Sequence, residues 1–116
     1  MLFVCYPKCT TCQKAEKYLI ENNISFDKRD IKQDNPSLEE LKIWHKKSNL
    51  PLKRFFNTSG LQYKNLNLKD KLPNMTEQEQ LDLLATDGML VKRPLLIGTD
   101  FVVVGFKEQE WGTVTK

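Results

Sequence analysis

Three cysteines fall within eight positions near the N-terminus, in "FVCYPKCTTCQKAEKYL" (residues 3–19). Two of them, Cys9 and Cys12, form a Cys-x-x-Cys, a spacing that serves a redox couple, half of a metal site, or an inert pair on a buried helix face. An apolar run precedes Pro7 and helical periodicity follows Cys12, so Cys9 is expected at or just before the first turn of a helix. Backbone N–H groups are unsatisfied there and the helix dipole favours an anion, so a thiolate is stabilised. Lys8 beside Cys9 and Lys14 a turn later add positive potential. Cys12, on the side of Ala15, is expected to be more covered and within reach of the first sulfur. Cys9 then reads as the attacking thiol and Cys12 as the resolving one, with Lys8, Thr10 and Thr11 as supporting residues.

A zinc site asks for about four ligands, usually from two such pairs. Here there is one pair, Cys5 belongs to a strand, and His45, the only histidine, lies far along the chain. No metal is therefore expected. Cys5 reads as a small apolar side chain in a central strand, and His45 as a solvated or capping residue.

The chain has 116 residues, enough for a single domain with one core and no metal or disulfide staple. Eighteen basic and fifteen acidic residues leave a formal charge of +3, with the lysines dispersed, so no direct nucleic-acid contact is expected. No apolar run approaches the roughly 20 residues that span a bilayer. The start "MLFVCYPKC" lacks the features of a signal peptide. A cytoplasmic location follows as the expectation, and in a reducing compartment paired cysteines are more often catalytic, sensing or metal-binding than structural. The chain is expected to be a monomer.

The elements that must position the thiols can be read from pattern. Leu2–Tyr6 is an unbroken apolar run, suited to a strand buried on both faces. A helix follows through Ala15, Tyr18, Leu19 and Asn22, closed by "ENN", and "ISFDKRDI" (24–31) alternates as a second strand. The intervening helix makes that pair parallel. Ser37-Leu38-Glu39-Glu40 resembles a capping box at the start of a helix whose apolar face is Leu38, Leu41 and Trp44. Residues 50–75 are irregular. Thr76 is an N-cap, and Gly88 is expected in the C-terminal turn of the helix that follows. Leu95–Ile97 and Phe101–Val104 flank "GTD" as a hairpin, and "KEQEWGTVTK" reads as a closing helix with a frayed tail. This is the layout of an α/β, thioredoxin-like (glutaredoxin-like) fold. It has a four-stranded mixed sheet and, within a single domain spanning 1–116, a helical insertion at about 36–86.

Three stretches carry a more specific resemblance: "YPKCTTCQKAEKYL", "NTSGLQY" (57–63) and "KRPLLI" (92–97). In order and spacing they resemble the arsenate reductase-like (ArsC/Spx) family over nearly the whole chain. The resemblance implies a reactive cysteine at Cys9, a cis Arg93–Pro94 peptide facing the thiol loop, and Arg93 close enough to the sulfurs to stabilise a thiolate or anionic adduct. Within that family, glutathione-coupled arsenate reductases use a single catalytic cysteine and further arginines for the oxyanion. This chain has Asn57 near one such position, with Arg54 three residues earlier, and Lys107 near another. Lysine does not reproduce the bidentate grip of arginine, so proficient arsenate reduction is not expected.

Two function classes follow. One is a thiol–disulfide or glutathione-linked oxidoreductase with no bound cofactor, acting on a thiol or disulfide substrate or redox partner protein, with glutathione or thioredoxin as electron donor. The other is an Spx-like redox-sensing regulator that binds the RNA polymerase α subunit.

Overall fold

The unbroken apolar run at the N-terminus becomes strand β1 (Leu2–Cys5), with Phe3, Val4 and Cys5 buried. Helix α1 (Thr10–Glu21) follows and buries Cys12, Ala15 and Leu19 at helical spacing. The computed structural model describes residues 1–115. It continues through β2 (Asp27–Asp30), α2 (Leu38–Ser48), α3 (Leu61–Asn65), α4 (Leu68–Lys71), α5 (Glu77–Leu84), β3 (Leu95–Ile97), β4 (Val102–Val104) and α6 (Glu108–Val114). Short 3₁₀ turns lie at Leu52–Phe55, Leu72–Asn74 and Gly88–Leu90.

The sheet order is β2-β1-β3-β4. β1 and β2 are parallel, with Leu2 opposite Asp27, while β1–β3 and β3–β4 are antiparallel. The expected mixed sheet is present, and its two faces follow the period of two in a strand. Phe3, Cys5 and Leu96 pack on α1 and on Trp111 of α6. Val4, Leu95, Val102 and Val104 share a larger core with Leu41, Trp44, Phe55, Phe56 and Leu84 of the helical insertion. The fold is thioredoxin-like, with helices on both faces of the sheet.

Both predicted helix starts are capped. Ser37 and Glu40 form the full capping box, and Thr76 pairs reciprocally with Glu79 in a second one. Glu40 is also gripped by Arg29 of β2, at 2.7 and 2.9 Å to its two oxygens, which ties the insertion to the sheet edge.

Four details depart from the sequence reading. The second strand covers only Asp27–Asp30, not 24–31, because the Ile24 N–H is taken by the Leu19 carbonyl, closing α1 with Asn23 in the left-handed region. Gly88 does not end α5, whose C-cap is Ala85; it opens the 3₁₀ turn, where a Cβ would run into the Ile31 carbonyl. The second hairpin strand starts at Val102, since the Phe101 carbonyl accepts the Gly98 N–H and closes the turn. His45 neither caps a helix nor lies in solvent: its side chain is 17% exposed, 3.7 Å from Glu77 and edge-on to Phe55. The closing helix is present, and the tail expected to fray reaches Lys116, outside the described residues. Among the described residues no helix is long and apolar enough to cross a membrane.

Candidate functional site

β1 delivers the chain to the site and α1 carries it away. After Cys5 the backbone turns through Pro7 and Lys8, closed by the Cys9 N–H donating to the Tyr6 carbonyl at 2.9 Å. Cys9 is the N-cap of α1, in an extended conformation, and its carbonyl accepts the Gln13 N–H at 3.0 Å. A cysteine thus occupies the position that usually holds Ser, Thr, Asp or Asn, at the end of the helix whose first N–H groups have no intrahelical partner.

The consequence is electrostatic. Burial by itself would raise the Cys9 pKa, but the Cys12 N–H, the Cys12 thiol, the Thr11 N–H and the Arg93 charge together bring it below the ordinary thiol value. Cys12 is buried (2% exposed) and its sulfur accepts the Tyr6 N–H at 3.4 Å. Burial, and the Cys9 sulfur to which it donates, push its pKa up to about 12. Cys5, also buried, is pushed up to about 11, again mainly by burial. One thiol of the three is therefore held below the ordinary thiol range while the other two are held above it.

Arg93 reaches the site from the segment that enters β3. Its peptide with Pro94 is cis, as the resemblance implied, and the buried Pro94 gives its carbonyl to the Gly105 N–H at 2.8 Å. The guanidinium donates to the Met89 carbonyl at 3.3 Å and lies 5.2 Å from the centre of the Tyr6 ring. Lys8, Thr10, Thr11 and Lys14 are exposed, and Thr11 acts on Cys9 through its backbone. Sequence reasoning overlooked two contributors to this loop. Gln13 donates to the Pro7 carbonyl at 2.9 Å, bracing the turn, and Tyr6 touches Cys9, Cys12 and Arg93. Strand alternation could have signalled Tyr6, since it faces away from Cys5.

Arg54 and Lys107 are both exposed. Arg54 lines a surface cavity of about 300 Å³ with Pro51, Lys53, Phe56, Thr58 and Lys92, and neither Cys9 nor Cys12 borders it. No group of three or more His, Cys, Asp or Glu side chains among the described residues could hold a metal ion.

Comparison with known proteins extends this picture. The model of the ArsC family matches residues 5–114. The uncharacterized protein YusI of Bacillus subtilis is 53% identical over 111 residues, covering 96% of this chain and 94% of the relative. The regulatory protein MgsR of the same organism is 32% identical over 110 residues, covering 95% and 86%. The crystal structure of an ArsC family related protein from Bacteroides fragilis superposes with a TM-score of 0.96 at 60% identity, covering 97% of this chain and 95% of that one. A match of this extent, on a thioredoxin-like sheet that seats Cys9 at a helix start, means that the chain belongs to the ArsC family.

Proposed function

We propose that the chain is a cytoplasmic, monomeric thiol–disulfide redox protein in which Cys9 attacks and Cys12 resolves. The observation that carries this reading is the placement of half-buried Cys9 at the start of α1, with two backbone N–H groups, one thiol and one guanidinium favouring its anion. The Cys9 thiolate displaces one sulfur of a substrate disulfide, forming a mixed disulfide and releasing the other half as a thiolate. The Cys12 thiol passes its proton to that departing thiolate and attacks the Cys9 sulfur. The second half of the substrate leaves as a thiolate and takes up a proton. Two electrons have then moved from the pair to the substrate, and Cys9 and Cys12 are joined. Formation of the mixed disulfide removes the Cys9 charge, one of the influences that hold the Cys12 proton, so the resolving thiol becomes easier to ionise at the step that needs it.

Reduction back to two thiols takes two molecules of glutathione or one dithiol donor such as thioredoxin. Turnover of a small disulfide such as hydroxyethyl disulfide, coupled to either donor, tests the reading. Activity should vanish in Cys9→Ser, while Cys12→Ser should accumulate a mixed disulfide visible by mass. Absence of Cys9-dependent turnover with both donors would refute it.

A second reading is favoured by the relationship to a regulatory protein. There the same pair is a switch, and oxidation changes the surface at the start of α1 that an Spx-like regulator would offer to the RNA polymerase α subunit. Capture of that subunit by the reduced or the oxidised chain, but not by both, is the outcome this reading requires.

A further inference from the structure

We propose that Tyr6 is a positioning residue of the thiol site, holding both sulfur-bearing residues with its backbone and the Arg93 guanidinium with its ring. The inference rests on the proposed role of Cys9 and Cys12 and adds the residue that sets their geometry.

Tyr6 makes three separate contacts. Its carbonyl accepts the Cys9 N–H at 2.9 Å, which closes the turn and sets Cys9 as N-cap. Its N–H donates to the Cys12 sulfur at 3.4 Å, so the resolving thiol is tethered to the end of β1. Its ring carries the Arg93 guanidinium 5.2 Å from the centroid, a cation–π contact. Strand alternation explains why one residue can do all three. Cys5 points to the α1 face, so the next side chain turns to the opposite face, where Tyr6 packs against the core of the insertion. Its backbone remains at the α1 start, while its ring meets the segment that brings in Arg93.

The only hydrogen bond of the Arg93 side chain among the described residues is one 3.3 Å contact to the Met89 carbonyl. A long, unpaired arginine loses rotamer freedom when held in one place, and a planar aromatic face lowers that cost for a planar cation. Without the ring, Arg93 samples more solvent and its effect on Cys9 falls. The charged or titratable groups that act on Cys9 include Cys12 of α1, Cys5 of β1 and Arg93, with Tyr6 and Lys8 adjoining it in the turn, and Arg93 is the cation brought to it from a distant segment. The role assigned to Tyr6 is carried by the ring face, so phenylalanine should serve.

The test is a pH series of iodoacetamide rates on Cys9 in the intact chain, in four variants beside wild type: Tyr6→Leu, Tyr6→Phe, Arg93→Ala and the double variant Tyr6→Leu/Arg93→Ala. Leucine keeps an apolar side chain and the backbone contacts but removes the ring. It should slow alkylation near neutral pH by about two- to fivefold, the size of a partly exposed cation–π contact. Tyr6→Phe should restore the wild-type profile. Adding Tyr6→Leu to Arg93→Ala should change nothing further, because the ring acts through the arginine. Equal slowing by Tyr6→Leu with and without Arg93, or slowing by Tyr6→Phe equal to that by Tyr6→Leu, would overturn the proposal. So would a Tyr6→Leu profile that superimposes on wild type. If Tyr6→Leu fails to fold, the Tyr6→Phe profile and a Tyr6→Met variant take its place, with phenylalanine again expected to match wild type and methionine to slow. A wild-type Cys9 that ionises no lower than an ordinary thiol would instead refute the proposed nucleophile, whatever the Tyr6 variants show.

Discussion

Cys5, Cys9 and Cys12 share a side chain and lie within eight positions, yet burial pushes the first and last to about 11 and about 12 while Cys9 is held below the ordinary value. Alkylation near neutral pH should therefore label Cys9 first. Mild oxidation should remove two protons and join Cys9 to Cys12, leaving Cys5 free, and peptide mass mapping after alkylation would show a different bridge if the assignment is wrong. Arg93→Ala should raise the Cys9 pKa and slow its alkylation several-fold near pH 7, with the fold retained, because arginine keeps its charge at any working pH. The raised thiols carry a stability consequence of definite sign. A proton held more tightly in the folded state than in the unfolded one stabilises fully below about pH 9, the ordinary value, and that contribution fades as pH climbs through 11 and 12. Chemical denaturation of the reduced chain should show stability falling above pH 9, and falling less in Cys5→Ala than in wild type.

At the scale of the elements, Glu40 has two duties. It accepts the Ser37 N–H in the capping box of α2, and it receives Arg29 of β2 through both oxygens. The Arg29 guanidinium, with the Ser37 contacts, brings its pKa down to about 2. Its side chain is 35% exposed, so water screens the pair, and Glu40→Gln should remove about 1 kcal/mol rather than the larger loss of a buried pair. A depressed carboxylate stabilises above its unfolded value and loses that contribution as pH falls through the folded one. The stability gap between wild type and Glu40→Gln, read from urea midpoints, should narrow from about pH 4.5 toward pH 2. A gap constant across that range would remove Glu40 from the account.

For the molecule as a whole, the seam between sheet and insertion is where distant segments meet. Gly88 lies against the Ile31 carbonyl and the Asn35 side chain, and Asn35 donates to the Ala85 carbonyl at 2.8 Å. Because the atom met is backbone, it cannot swing aside, and Gly88→Ala should destabilise by about 1–3 kcal/mol through overpacking. A melting temperature equal to that of wild type would contradict the tight seam. The same global view bears on oxyanion chemistry. Arg54 and Lys107 are exposed, and Arg54 lines a cavity that excludes both site cysteines. Arg93 is the guanidinium that acts on the Cys9 thiol, and lysine does not reproduce the bidentate grip of arginine, so arsenate is expected not to drive consumption of reducing equivalents above background. Strong arsenate-dependent, Cys9-dependent turnover would reverse that conclusion, and Arg54 and Lys107 would be the first residues to replace.

Local pattern determined much of this protein: the Cys-x-x-Cys at a strand-to-helix seam, the Ser37 and Thr76 helix starts, the hairpin around Gly98–Asp100 and the mixed sheet. Those features depend on neighbours a few positions away, through periodicity, capping and turn chemistry, so the chain states them directly. The cis Arg93–Pro94 peptide follows from a family motif rather than from periodicity. Tertiary structure alone decided that Tyr6 meets Arg93, that Gly88 packs on Ile31, and that His45 is enclosed by Glu77 and Phe55. The first two join segments far apart in sequence and the third joins separate elements of the helical insertion, so none of them follows from local pattern. The upward push on Cys5 and Cys12 belongs to the same class, because burial sets it. The lowering of Cys9 comes first from the local Cys12 and Thr11 contacts at the helix start, with the distant Arg93 charge adding to them.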